Sequence, residues 1–425
     1  VSRLPSLTGM RFVAALLVFA FHTTWQTVYV AGTGGDVLGD VFANAGFYGV
    51  SFFFVLSGFV LTWSARPEDT PAAFWRRRLV KIYPNHLVTF LLAAALMLIA
   101  ADAFTTKGTL ANLFLVQAWI PEIQVPNTMN AVSWSLSCEL FFYLSFPLLL
   151  RLLNRVPVRR LWVFAGALGA LTVLVPAIAR HGIGGVPLPF IDDGTLSFEQ
   201  IWFVYFFPPV RALEFVLGMV AARLVQAGSW PRLGLLPAAA IAVGGYAVNS
   251  LVPYLYGVAG TAALWLAPLV AAAATSDHRG DASPLRGRTL VRLGELSFAF
   301  YMVHGLVTSS VHRWLVAGKD LPPLAGAAAL LGALLVSLAL ALALYSGVEE
   351  PLMRRFGAPP RRPAPATPAA PATPATPVAS AVPAASATPA APTTSAPRST
   401  PATTGSPEAA PGVPAPRPTA LEARE

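Results

Sequence analysis

Hydrophobic positions gather along residues 1–356 into stretches of about twenty, separated by short connections rich in arginine. A helix of about 20 apolar residues crosses the ~30 Å hydrocarbon layer of a bilayer. Ten such spans are predicted, at residues 10–30, 44–64, 86–105, 131–152, 161–179, 201–225, 233–252, 254–274, 290–312 and 324–347. Only Pro253 and Tyr254 divide the seventh from the eighth, and residues 110–120 (LANLFLVQAWI) read as a re-entrant or interfacial segment ahead of the fourth. Past residue 356 the pattern ends. Residues 357–425 hold 18 of the 39 prolines, in Ala-Pro-Thr text without an apolar period, and such composition predicts a disordered tail. The expected architecture is therefore an all-α integral membrane body at residues 1–356, followed by a Pro/Ala/Thr-rich tail at 357–425.

The distribution of charge tests this count. With the N-terminus in the cytoplasm, the inner connections carry Arg66, Arg76, Arg77, Arg78 and Lys81, then Arg151, Arg155, Arg159 and Arg160, then Arg223 and Arg232, then Arg279, Arg286, Arg288 and Arg292. Arg354 and Arg355 follow the last span, whereas the outer connections hold little beyond Lys107, Arg180, Arg313 and Lys319. That alternation obeys the positive-inside rule and predicts both termini in the cytoplasm. The first span then acts as its own insertion signal, in a multi-pass protein of the cell (inner or plasma) membrane.

Composition narrows the function classes. The chain is 55% hydrophobic and 12% charged, against about 25% charged in a soluble domain. The net charge of +9 falls mostly on the membrane body, since the tail holds five Arg against three Glu. On membrane rims such an excess points to anionic lipid headgroups or phosphates rather than nucleic acid. Cys138 is the only cysteine, so no intramolecular disulfide or cysteine-based metal centre is expected.

Ionisable residues inside spans are costly, and are functional candidates for that reason. Arg11 and His22 stand 11 residues apart in LTGMRFVAALLVFAFH. At 100° and 1.5 Å per residue they share one face, about 16 Å apart along the axis. Separately they read as a rim anchor and an interhelical hydrogen bond; together they suggest a path from the cytoplasm to a base within the membrane. In SWSLSCELFFY, Ser135 and Glu139 are spaced i, i+4 with Trp134 beside them. Arg211 and Glu214 are spaced i, i+3, fit for a pair within one helix, just after Pro208 and Pro209, which should kink or break it. His304 lies deep in the ninth span. The juxtamembrane FWRRRLVKIYP reads either as a topology determinant contacting lipid or as a phosphate-binding patch. Ser57 and Gly58 in FFFVLSGFVL are first explained by tight helix packing.

In this order the segments LTGMRFVAALLVFAFH, GVSFFFVLSGFVL, FWRRRLVKIYP, SWSLSCELFFY, VRALEFVLGMVAARL, RLGELSFAFYMVH and SGVEEPLMRRF resemble the acyltransferase-3 family of integral membrane O-acyltransferases. The resemblance implies transfer of an acyl group, often acetyl, from acyl-coenzyme A to a hydroxyl of a carbohydrate or glycosylated small molecule. Acyl-CoA would be a co-substrate, with no bound cofactor or metal. Carried over by motif, Arg11 and His22 would be the essential pair, and Arg76, Arg77, Arg78 and Lys81 would hold the donor's phosphates. Glu139 would orient His22. Trp134, Ser135, Arg211, Glu214 and His304 are substrate-site candidates. The chain departs from the family at Lys81, where an arginine is usual, at Asn85 and His86, and at Glu349-Glu350-Pro351. A secondary transporter of a sugar or anionic metabolite is the alternative, although the two halves show no internal repeat.

Overall fold

The computed structural model describes residues 4–26, 33–66, 68–189, 194–319 and 321–357. The tail expected at 357–425 lies, apart from Gly357, outside the described residues. The elements in chain order are α1 (Pro5–Phe21), α2 (Thr33–Phe42), α3 (Ala45–Trp63), α4 (Pro71–Ile99), α5 (Thr106–Leu113), α6 (Trp134–Asn154) and α7 (Val158–Gly182). There follow α8 (Phe198–Ile201), α9 (Pro208–Gln226), α10 (Leu235–Leu251), α11 (Ala262–Arg279), α12 (Arg288–Val311), α13 (Pro323–Leu344) and α14 (Glu350–Phe356).

Among the described residues, nine helical stretches are long and apolar enough to cross a membrane. The expected seventh span departs from the prediction. It forms α10, whose 17 residues fall short of that length. The chain turns extended at Val252 (φ −87°, ψ 160°), ahead of Pro253, because the proline ring disfavours helical backbone in the preceding residue. Residues 110–120 do not form a span either. They hold the end of α5 and a 3₁₀ turn at Gln117–Trp119. Pro208 and Pro209 act as predicted: Phe207 is extended (φ −65°, ψ 115°) and α9 starts afresh at Pro208, where a missing N–H costs nothing.

Two crossings set the frame of the bundle. A Cβ on Gly58 of α3 would lie 1.8 Å from the Phe215 carbonyl oxygen of α9, and one on Gly218 would lie 2.0 Å from that of Val55. The two backbones therefore touch, as small residues permit where no hydrophobic drive exists between helices in lipid. In the second crossing α1 and α12 run parallel, with Gly294 against the backbone of Thr8. The start of α1 is tied to α11: Asp277 accepts hydrogen bonds from the Ser6 amide (2.8 Å) and hydroxyl (2.7 Å). A carboxylate there meets the unpaired N–H groups and positive end of the helix dipole.

Large side chains such as Leu98, Val163, Leu236, Leu251 and Leu324 face outward, as lipid contact requires. Inside lies an aromatic cluster of Phe54, Trp134, Phe142, Tyr205, Phe206 and Phe215, with Phe54 and Phe142 edge to face at 5.0 Å.

Because Gly218 meets backbone that cannot yield, Gly218→Leu should cost about 1–3 kcal/mol or more through overpacking. Thermal unfolding in detergent should show an earlier transition and less monodisperse protein, whereas Gly166→Leu, where a Cβ meets open space, should leave the transition in place.

Candidate active site

The helix α1 carries Arg11 and His22 to two different cavities. Arg11 lines a cavity of about 190 Å³ together with Ser57, Arg78, Lys81, Ser135, Glu139, Tyr143 and Tyr301. His22, where α1 passes into a π-helical turn (His22–Gln26), lines a second cavity of about 420 Å³. It is one of five π-helical turns among the described residues.

In the first cavity the carboxylate of Glu139 accepts hydrogen bonds from Ser57 (3.0 Å) and Tyr143. Arg78 lies over the rings of Phe74 (5.5 Å) and Tyr143 (6.0 Å). Lys81 pairs with Glu349, whose other oxygen accepts from Asn85 Nδ2 at 2.6 Å. Glu349 is buried, while its neighbour Glu350 pairs with Arg354 on the exposed side of α14. The basic segment thus divides. Arg78 and Lys81 reach the cavity, Arg77 pairs with Asp69 at 2.5 Å, and Arg76 is exposed.

In the second cavity His22 Nδ1 lies 2.7 Å from the Val18 carbonyl oxygen and 3.3 Å from His304 Nε2. The opposite walls offer neutral polar groups from Gln124, Asn127, Thr128, Ser309 and Ser310, beside apolar Leu96, Met97 and Leu306. Arg313 donates to both oxygens of Asp102 (2.7 and 2.8 Å). This pair closes on itself, and the guanidinium holds the Asp102 carboxyl below the ordinary carboxylate range. The folded pair is therefore favoured at neutral pH and is lost only as pH falls through that lowered value.

A polar seam separates the cavities. The Tyr301 and Ser135 hydroxyls lie 2.8 Å apart, and each is also within reach of the Val132 carbonyl oxygen (3.2 and 3.0 Å), so their two hydrogens serve two of these three contacts. Tyr301 and Ser135 line the first cavity and Val132 the second. The loop beneath is held by Asn112, which donates to Ser133 Oγ and the Thr128 carbonyl (both 2.9 Å), and by Asn130, which donates to the Met302 carbonyl at 2.8 Å.

The structure rearranges the sequence-derived set. Arg11 and Glu139 share a cavity, and His22 meets His304. Glu139 faces the cavity opposite to that of His22, so the expected contact between them gives way to His304. Arg211 and Glu214 pair at 2.9 Å and both bond Ser51 (3.1 and 2.9 Å), with the guanidinium over Phe54 and Tyr205. The cluster stands apart from both cavities, with Arg211 Nε and Nη1 buried and without a hydrogen-bond partner beside a small gap, and Trp134 packs among aromatic rings. Tyr143 and Tyr301 escaped the sequence reading, and Asn85 and Glu349 entered it only as departures from the family pattern. For Glu349 the signal was the doubled SGVEEP acid, and only the helical phase tells which of the two points inward.

A family model described as an acyltransferase domain, that of acyltransferase-3, matches residues 4–343. The chain belongs to the acyltransferase-3 family. Acyltransferase MdmB of Streptomyces mycarofaciens is 41% identical over 374 residues, covering 85% of this chain and 94% of the relative. Exopolysaccharide production protein ExoZ of Rhizobium meliloti (strain 1021) is 29% identical over 318 residues, covering 72% of this chain and 89% of ExoZ. SACOL0978 of Staphylococcus aureus (strain COL), named for O-acetyl transfer, is 24% identical over 359 residues, 74% of this chain and 52% of that protein. No solved structure matches. This acyltransferase-3 member is thus a transferase and, with its apolar helices, a multi-pass membrane protein, which displaces the carrier alternative.

Removing one partner of a buried pair leaves the other charge unmet. Glu349→Ala in the acyltransferase should cost about 2–3 kcal/mol, less than a fully buried pair because Lys81 keeps some exposure. The check is thermal unfolding in detergent, where Lys81→Met combined with Glu349→Leu should recover part of the loss.

Proposed function

We propose that this protein is a membrane O-acyltransferase. It transfers an acetyl or other short acyl group from acyl-CoA to a hydroxyl of a carbohydrate or glycosylated small molecule. The observation that carries the reading is the division of labour along α1. Arg11 opens onto a cavity holding the cations Arg78 and Lys81, while His22 opens onto one lined by neutral polar groups and the mutually paired Asp102 and Arg313. A polyanionic donor suits the first and a polyhydroxyl acceptor the second. The names of the relatives support the same direction, since one is named for exopolysaccharide production and another for O-acetyl transfer.

Arg66, Arg151, Arg155, Arg223, Arg288 and Arg354 also lie at or next to helix ends, and on this reading those ends share the side of Arg78 and Lys81. By the positive-inside rule that side faces the cytoplasm of the cell membrane, where acyl-CoA is made. Arg11, Arg78 and Lys81 then hold the donor's phosphates by charge-assisted hydrogen bonds. The pantetheine arm lies toward the Tyr301–Ser135 seam, which must part to let the thioester reach His22.

A thioester is already activated, so the site has mainly to position two reactants and accept one proton. The Val18 carbonyl can only accept, so Nδ1 of neutral His22 carries the hydrogen and the lone pair lies on Nε2. Nε2 takes the proton of the acceptor hydroxyl as its oxygen bonds the thioester carbon. The C–S bond then breaks and the leaving thiolate takes the proton from His22. The products are an ester and coenzyme A, with no acyl-enzyme.

Two outcomes are expected with [1-14C]acetyl-CoA, membranes containing the full chain, and a carbohydrate-and-metabolite extract of the host as acceptor pool. Loss of the base in His22→Ala should lower label transfer about 10²–10⁴-fold at unchanged expression; wild-type transfer by this variant would refute His22 as the base. Arg78→Gln should mainly raise the KM for acetyl-CoA, because a phosphate contact formed equally in ground and transition states is uniform binding.

A further inference from the structure

His304 is fully buried, yet a histidine in apolar surroundings is costly unless both nitrogens are met. Nδ1 lies 2.7 Å from the Tyr301 carbonyl oxygen, which can only accept. In the neutral ring Nδ1 therefore carries the hydrogen and Nε2 is an acceptor. That Nε2 lies 3.3 Å from His22 Nδ1, the nitrogen whose hydrogen already points to Val18. The two rings stand at 66° with centroids 5.0 Å apart. His304 is clamped in turn: it stacks on Phe300 (13°, 5.8 Å) and borders Phe19 and Tyr301.

We infer that His304 is the positioning residue of a histidine–histidine dyad, its Nε2 sharing the Nδ1 hydrogen of His22 with the Val18 carbonyl. The inference rests on the reading of His22 as the base. It gives His304 the task that a carboxylate performs in a Ser-His-Asp triad, but with a neutral acceptor. The shared hydrogen fixes the tautomer that leaves the lone pair on Nε2, and it holds the ring toward the polar cavity. When His22 Nε2 takes the acceptor proton, the ring becomes cationic and its Nδ1–H a stronger donor. The bond to His304 then strengthens in the transition state, which raises turnover rather than substrate affinity. A neutral acceptor suits a site inside a membrane bundle, where a second carboxylate would need its own counter-charge. The acid that the sequence put forward to orient His22, Glu139, is engaged by Ser57 and Tyr143 in the other cavity.

The test compares His304→Phe, which keeps bulk and stacking but removes the acceptor, with His304→Gln, whose amide oxygen reaches the Nε2 position. Purified full-length protein is assayed for label transfer from [1-14C]acetyl-CoA to the host extract, with His22→Ala alongside. For His304→Phe the maximal rate should fall about 10–100-fold, by analogy with the loss when hydrogen-bond partners of metal-ligating histidines are removed. The KM for acetyl-CoA should stay put, and His304→Gln should keep most of the rate. Wild-type rate in His304→Phe, a change in KM alone, or equal loss in Phe and Gln would each overturn the dyad. Should His304→Phe not fold, His304→Asn, whose amide stops at the Nδ1 position, replaces it. The dyad requires Gln to outpace Asn, and equal or reversed rates overturn it. If His22→Ala keeps full activity, the reading of His22 as the base fails first; if only the His304 variants behave as wild type, this inference alone fails.

Discussion

A charged or polar side chain inside an apolar bundle must be met by a partner, and that constraint shapes this acyltransferase more than any other. Each unpaired group costs several kcal/mol where no water can reach it. The helices are accordingly joined by polar contacts at depth: Ser6 with Asp277, Ser51 with Arg211 and Glu214, Asn85 and Lys81 with Glu349, Ser57 with Glu139, and His22 with His304. Each contact joins helices far apart in sequence, so the same bonds that settle the polar groups also set the positions of the helices.

The two cavities follow from where this pairing is incomplete. Arg211 and Glu214 neutralise each other within one helix turn and leave only a small gap beside them. Among the side chains that line the cavity at Arg11, the cations Arg11, Arg78 and Lys81 face one carboxylate, Glu139, while Glu349 and Glu295 act on Arg11 from outside the lining. An excess of positive charge in a low-dielectric recess is a standing attraction for an anion. The cavity at His22 has the opposite character, because Asp102 and Arg313 cancel and the remaining polar groups are neutral. An uncharged hydroxyl compound can enter there without displacing a bound ion.

The close crossings make this geometry exact enough for chemistry. Gly58 with Gly218, and Gly294 with Thr8, bring backbones into contact and leave little freedom to slide. The α1–α12 crossing matters most, since it runs the two histidine-bearing helices side by side. The π-helical turn then starts at His22 itself. Its wider ring is a local departure from regular helix that no apolar periodicity announces.

Much of the fold was legible in the sequence because lipid imposes a simple rule. Spans must be about twenty residues long and apolar, so nine of the ten predicted stretches appear as helices long enough to cross, and the tenth as the shorter α10. Pro208–Pro209 announced a break because proline chemistry is local, and the Arg211–Glu214 pair was foreseen because i, i+3 neighbours need only one helix. Arg11 and His22 stood out as polar residues where none should be. Contacts between helices were beyond reach, because a short apolar sequence says which residues face lipid or core but not which helix they meet. Thus Glu139 went to Ser57 and Tyr143, His304 took the place beside His22, and Glu349 rather than Glu350 turned inward to Lys81. The sequence by itself determined the spans, the buried polar residues and the family. Only the tertiary structure decided how those residues pair, because a buried group takes whichever partner the crossing angles and helical phases bring within hydrogen-bond reach.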